Sequence, residues 1–118
     1  MKSFKELIVW QESNKFALKI YKLTQLFPKS ELFGLVSQLR RAVVSVPANI
    51  AEGFNRQSKK EYIQFLYIAR GSLQEADSLL SFAKNLSYIS EEDYLSLQKD
   101  LTLTGRLLSG LINSIKEK

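Results

Sequence analysis

Leu39-Arg40-Arg41-Ala42-Val43-Val44-Ser45-Val46-Pro47-Ala48-Asn49-Ile50-Ala51-Glu52-Gly53-Phe54-Asn55-Arg56 is the stretch from which the rest of the chain can be read. Leu39, Val43, Val46 and Ile50 recur at intervals of four, three and four, the rhythm of one buried helix face. Pro47 and Gly53 work against that helix. Proline removes a backbone donor and clashes with the preceding turn, and glycine costs more backbone entropy to order. A helix that keeps both needs compensation from its surroundings, and Pro47 is expected to bend it.

The same rhythm extends outward in both directions. Upstream, Leu32, Leu35 and Val36 carry the stripe back to a start near residue 31, where Ser30 is an N-cap candidate; Phe54 closes it. Phe27-Pro28 ends a preceding helix, because the residue before a proline is pushed away from helical angles. That first helix covers about 5–27, with a core stripe of Val9, Ser13, Phe16, Ile20, Leu23 and Phe27. Downstream, Ser58-Lys59-Lys60-Glu61 has the form of a capping box. It opens a third helix over 59–86, with Tyr62, Leu66, Ala69, Leu73, Ala76, Leu80 and Ala83 inward. Ser90-Glu91-Glu92-Asp93 caps a fourth over 91–117, with acidic residues at the positive end of its dipole. Its stripe is Tyr94, Leu97, Leu101, Thr104, Leu108, Leu111 and Ile115. Four long helices, short connections and no strand pattern predict an all-α, antiparallel up-down-up-down four-helix bundle, a single domain over 1–118.

Composition narrows the chemistry. The 118 residues contain neither cysteine nor histidine, which removes disulfides, thiolate catalysis, the commonest general base and the usual transition-metal ligands. No apolar run approaches the roughly 20 residues needed to cross a bilayer, and the N-terminus lacks a secretory pattern, so a soluble cytoplasmic protein is expected. Net charge is +5, carried by the first half: residues 1–60 hold eleven Lys and Arg against four Asp and Glu, and the remainder six against eight. Lys15, Lys19 and Lys22 form a basic stripe on the first helix. Such asymmetry fits a polyanionic partner, but a solvated basic face is its commoner cause.

Winding residues 31–56 at about 100° each divides the second helix into three sides. Leu39, Val43, Val46 and Ile50 face the bundle. Arg41, Ser45, Asn49, Glu52 and Arg56 make a polar row, read either as surface ion pairs or, with Arg70 and Glu75, as a groove-lining network. Phe33, Ser37, Arg40, Val44, Pro47, Ala48 and Ala51 form a third, mostly apolar sector where an isolated bundle would show charge. That sector predicts contact with another copy of the chain through Phe33, Val44, Pro47, Ala48 and Ala51. Trp10, on the flank of the first helix, is either core edge or a further oligomer contact.

These residues carry a resemblance. Val9-Trp10-Gln11, Phe27-Pro28, Glu31-Leu32-Phe33-Gly34-Leu35, Gln38-Leu39-Arg40-Arg41-Ala42, Ser45-Val46-Pro47-Ala48-Asn49-Ile50-Ala51-Glu52-Gly53, Glu61-Tyr62 and Gly71-Ser72 together resemble the bacterial four-helix-bundle family of 23S ribosomal RNA intervening-sequence proteins. The likeness covers residues 4 to about 86 with specific motifs. It implies a product of inserts in large-subunit ribosomal RNA genes that assembles as a ring-like homopentamer. It also implies kinship with the accessory protein of diversity-generating retroelements, a basic pentamer that binds nucleic acid and a reverse transcriptase.

Three functions follow as expectations. The first is a non-enzymatic oligomer binding RNA or DNA, with Lys15, Lys19, Lys22, Arg40, Arg41, Arg56, Lys59 and Lys60 on phosphates and little base specificity, since aromatic residues are not evidently interleaved with the charges. The second is a protein-docking scaffold that presents either the row from Arg41 through Asn49 and Glu52 to Arg56 or the Lys15 face. The third, an enzyme, is the weakest: Glu52, Glu61 and Glu75 are the only carboxylates considered for a pair, and no phosphate loop, nucleophile motif or cofactor signature accompanies them. No metal, cofactor or membrane partner is expected.

Overall fold

Two serines start the two longest helices. Ser58 Oγ accepts from the Glu61 backbone N–H at 3.2 Å and Ser90 Oγ from that of Asp93 at 3.1 Å, each satisfying a donor that the first turn leaves unpaired. In the computed structural model, which describes residues 2–118, four helices follow a short 3-10 turn at Phe4–Glu6: α1 (Ile8–Thr24), α2 (Ser37–Phe54), α3 (Lys59–Asn85) and α4 (Glu91–Glu117). Neighbours pack as α1 on α2, α2 on α3, α3 on α4 and α1 on α4, which closes a four-helix bundle with α2 and α4 on one diagonal. No strand occurs among the described residues.

The core is built from the predicted stripes. Phe16, Ile20, Leu39, Val43, Val46, Ile50, Leu66, Ala69, Ala76, Leu80, Leu97 and Leu108 are all buried. On α3 large and small residues alternate inward, so neighbouring side chains interdigitate at close packing. In the last turns of α4 Ile112 and Ile115 are buried, and Leu111, expected inside, is only half-buried at the edge. Leu32, also expected inside, is 47% exposed.

That misplacement has a local cause. α1 ends at Thr24, not Phe27, and the chain reaches α2 through a 3-10 turn at Lys29–Glu31 and a π-helical turn at Leu32–Val36. Ser30 caps nothing; neither turn has a side-chain cap. Gly34 has non-helical angles inside the π turn (φ −115°, ψ −106°). A π turn takes one more residue than an α turn, so the register of Leu32 and Phe33 slips off the core face and Phe33 stands 94% exposed. Pro47, expected to bend the helix, lies inside α2, whereas the non-helical angles fall at Gly34. α2 runs unbroken through Pro47, whose ring is buried within the bundle; that burial offsets the single hydrogen bond its missing N–H removes.

Gly53 has a clear steric reason. A Cβ there would lie 2.9 Å from Phe65 Cβ, 3.0 Å from Tyr62 Cδ1 and 3.2 Å from the Tyr62 carbonyl oxygen. The end of α2 thus lies directly on the start of α3. At the other end of α3, Ser87 takes the left-handed conformation (φ 64°), and Tyr88 N–H returns to the Ala83 carbonyl at 3.0 Å, a Schellman-type stop with serine in the usual glycine position. Tyr88 packs on Phe27, and its hydroxyl donates to Glu31 Oε2 at 3.0 Å, tying this turn to the start of the π turn.

Two outcomes test this packing. Gly53→Ala should destabilise the fold by roughly 1–3 kcal/mol in urea unfolding, as overpacking does. Gly71→Ala, where no atom lies within 4 Å of the added methyl, should instead stabilise by about 0.5–1 kcal/mol. The hydrogen bond to Glu31, with burial, raises the Tyr88 pKa above the ordinary tyrosine value, and burial raises that of Tyr62. A group whose folded pKa is raised lends stability below its unfolded pKa and loses it as pH climbs through the folded one. Unfolding midpoints should therefore fall as pH rises past about 10, and Tyr88→Phe should lessen the fall.

Candidate functional site

A groove of about 840 Å³ opens where α1 ends, the π turn enters α2, and α2 meets α3. Tyr21, Leu32, Phe33, Val36 and Val44 supply apolar wall; Arg40, Arg41, Ser37, Ser45, Ser72 and Glu75 supply polar atoms. Phe33, Leu32 and Val44 are all exposed along it. The π turn builds the groove, because its extra residue pushes Phe33 outward.

The polar row of α2 is a set of internal contacts more than a free array. Ser45 Oγ pairs with Ser72 Oγ across to α3 at 2.9 Å, and Asn49 Nδ2 donates to the Ser45 carbonyl at 2.8 Å and to Ser45 Oγ at 2.9 Å. Arg56 Nη2 donates to Glu52 Oε1 at 3.1 Å, its Nε lies 4.0 Å from Glu61 Oε2, and its guanidinium sits 4.9 Å over the Phe65 ring. Glu61 turns to Arg56, so only the serine half of the capping box forms. Arg41 has one hydrogen bond, to Ser37 Oγ at 3.1 Å, and is otherwise free in the groove. Glu75 lines the same groove, whereas Arg70, expected to join it, points to α4 and reaches Ser109 Oγ at 3.5 Å.

Arg40 is committed to the fold. Its Nε donates to Thr24 Oγ1 at 3.0 Å, its Nη2 to the Tyr21 carbonyl at 3.3 Å, and its guanidinium stacks 4.6 Å over the Tyr21 ring. It thereby satisfies a carbonyl at the negative end of α1, where a cation is favoured. Lys19 is also engaged, donating to Asp100 Oδ2 at 2.9 Å and Ser96 Oγ at 2.8 Å on α4. Lys15 is exposed, 3.6 Å from Glu12. Lys22 edges a shallow hollow with Leu26 and Asp93, and Lys59 and Lys60 stand exposed in the first turn of α3.

Of the predicted contact sector, Phe33, Val44 and Ala48 are exposed and Ala51 is half-buried. Pro47 belongs to the interior, since its position on the helix turns it toward the bundle, and it presents no surface to a neighbour. Trp10 is half-buried at the core edge, with its ring 5.3 Å from Phe4. The expectation that aromatic rings are not interleaved with charge is corrected by five cation–ring contacts: Arg40 on Tyr21, Arg56 on Phe65, Lys84 on Tyr94, and both Arg70 and Lys116 on Tyr67. The pairs Arg70 with Tyr67 and Arg56 with Phe65 are close in sequence and were legible. The contacts of Arg40, Lys84 and Lys116 need the tertiary fold.

A family model, described as 23S rRNA-intervening sequence protein, matches residues 5–110. The chain belongs to this family. A crystal structure of a protein with unknown function from the S23 ribosomal protein family of Bacteroides thetaiotaomicron is similar at 31% identity, covering 89% of this chain and 98% of that one, with a TM-score of 0.82. No match was found among curated proteins. The family and the helical fold are consistent with a non-catalytic protein. Among the described residues no group of three or more Asp, Glu, Cys or His could hold a metal ion, and no helix is long and apolar enough to cross a membrane. Glu52 and Glu61 both approach Arg56, at 3.1 Å and 4.0 Å, while Glu75 lies in the groove.

The two adjacent arginines separate sharply. Arg40→Leu should cost about 1–3 kcal/mol in urea unfolding by removing hydrogen bonds and a cation–ring contact together. Arg41→Leu should change stability by less than about 0.5 kcal/mol.

Proposed function

We propose that the chain is a non-enzymatic, self-associating helical module whose assembly holds RNA or another nucleic acid on a basic surface. One observation carries the self-association: the outer side of α2 and its approach are apolar where solvent-facing charge is expected, with Phe33 94%, Leu32 47% and Val44 44% exposed. Ile68 and Phe82 add apolar surface on the neighbouring α3, 52% and 57% exposed. Contiguous patches of this kind mark contact surfaces. A ring such as the homopentamer implied by the family resemblance needs two different patches, one meeting the other on the next copy. The second is offered by α4, diagonal to α2, through Leu95 and Leu103, 53% and 45% exposed.

Nucleic-acid binding is supported by the net charge of +5 and by the family's naming for inserts in ribosomal RNA genes. Lys15, Lys22, Arg41, Lys59 and Lys60 are the phosphate contacts retained, while Lys19, Arg40 and Arg56 are held by internal partners. Repetition around a ring multiplies modest single contacts. The kinship with the accessory protein of diversity-generating retroelements implied by the sequence resemblance finds no counterpart in the family match or the similar crystal structure and enters only as an analogy for pentameric assembly and basic charge. A second reading, protein docking, is favoured by the groove itself, whose apolar walls carry charges of both signs at Arg41 and Glu75.

Light scattering should give a mass several times that of one chain, five copies in the ring, and Val44→Glu should reduce it to that of a monomer with helicity retained. A monomeric wild type would remove the self-association. Single-stranded RNA should bind at low ionic strength and weaken steeply with salt. Failure of RNA and DNA to bind at low salt, with co-purification of one stoichiometric protein abolished by Arg41→Glu, would move the assignment to protein docking.

A further inference from the structure

Tyr67 lies on the outer side of α3, 39% exposed, and two cations converge on its ring. Arg70 Cζ is 4.9 Å from the ring centroid and Lys116 Nζ is 5.3 Å from it. Arg70 comes from the next turn of α3; Lys116 comes from α4, whose antiparallel course brings its last turns beside the start of α3. The sum of the two distances, about 10 Å, bounds the separation of the charges.

This pair differs from the other cation–ring contacts. Arg56 and Lys84 each have a carboxylate, at 3.1 Å and 2.7 Å, and Arg40 donates to a carbonyl and a hydroxyl of α1. Arg70 and Lys116 have no carboxylate within 4 Å among the described residues, and Arg70 has only the long contact to Ser109 Oγ. The acid nearest along this side of α3, Asp77, lies seven residues beyond Arg70 and already accepts from Gln98 at 2.8 Å. Glu61, beside Lys60, turns to Arg56. Arg70, which shares a hollow with Asp77, and Lys116, which precedes Glu117, are thus both left without an ion-pair partner among the described residues. Lys60 precedes Tyr67 by seven residues, two turns or about 10 Å along the same face.

We propose that Lys60, Tyr67, Arg70 and Lys116 form a binding track for the phosphodiester backbone of single-stranded RNA, an inference that rests on the RNA-binding reading above. A guanidinium and an ammonium can together engage one phosphate, the guanidinium through two parallel hydrogen bonds. The Tyr67 ring, which both cations approach, holds the two charges side by side at the surface. The track lies on α3 and α4, outside the α2 groove.

The test is anisotropy titration of a labelled twelve-nucleotide single-stranded RNA across a salt series. Arg70→Gln and Lys116→Gln should each weaken binding about three- to ten-fold and lower the slope of log affinity against log salt by about 0.7 for each phosphate no longer engaged. Tyr67→Leu should weaken binding at least five-fold with little change in slope, and Lys99→Gln, on another side of α4, should change neither. RNA binding with affinity and slope unchanged in Arg70→Gln and Lys116→Gln would overturn the track while leaving the RNA-binding reading in place. Binding of a polyglutamate peptide more tightly than the RNA, through the same residues, would overturn the phosphodiester assignment. If the wild type binds no RNA at low salt, the RNA-binding reading falls; pyrophosphate titration then tests the cluster itself. A shift of the Tyr67 ring signals that Arg70→Gln abolishes retains an anion site there, and no shift ends the proposal.

Discussion

The close approach of α2 to α3 sets the rest of the structure. At Gly53 even one methyl group would fall 2.9 Å from Phe65 Cβ, and farther along the pair the Ser45 and Ser72 hydroxyls meet at 2.9 Å. Small residues at both points let two helices lie side by side over most of their shared length. The roll of α2 about its own axis is then decided. Ala42, Val43 and Val46 turn inward, Pro47 is carried in with them, and Val44 and Ala48 are left on the outside. The compensation that Pro47 needs in a helix interior is this burial.

Charge follows the same geometry. The basic half and the slightly acidic half of the chain do not become two faces, because the bundle sets α1 against α4. Lys19 meets Asp100 there, and on the opposite edge Lys84 meets Glu91 at 2.7 Å. Surface pairs of this kind contribute little stability, but they decide which cations remain available. Two of those that do, Arg70 and Lys116, are held over the Tyr67 ring, which keeps a long side chain ordered without neutralising it. The charge of the folded molecule is thus distributed by helix neighbours, not by position along the chain.

The end of the bundle holding the π turn shows how one local irregularity produces a surface. A regular helix from residue 31 would have placed Leu32 in the core. The extra residue taken up around Gly34 displaces Leu32 and Phe33 outward and opens the groove walled by Tyr21 and Val44. The Tyr88 hydroxyl on Glu31 and the Arg40 guanidinium on the end of α1 brace the two sides of that opening. Wide turns are frequent at functional positions because they aim side chains that a regular helix would bury.

Much of this was legible in the residues. Apolar spacing of three and four is a local property, and it located four helices, nearly all core side chains and the caps at Ser58 and Ser90. The apolar excess at Phe33, Val44 and Ala48 was legible for the same reason, as surplus on a helix whose buried side was already assigned. The π turn was not: Gly34 is the one helix-disfavouring residue between Glu31 and Val36, and a lone glycine does not specify a wide turn. Nor could periodicity tell that Arg40 would cap α1 or that Lys116 would arrive beside Tyr67. Sequence by itself determined the helices and their inward faces, because each is set by neighbours three and four residues away. Only the tertiary structure decided which polar side chains are spent inside the bundle and which face outward, because that depends on helix roll and on contacts between residues sixteen to more than eighty positions apart.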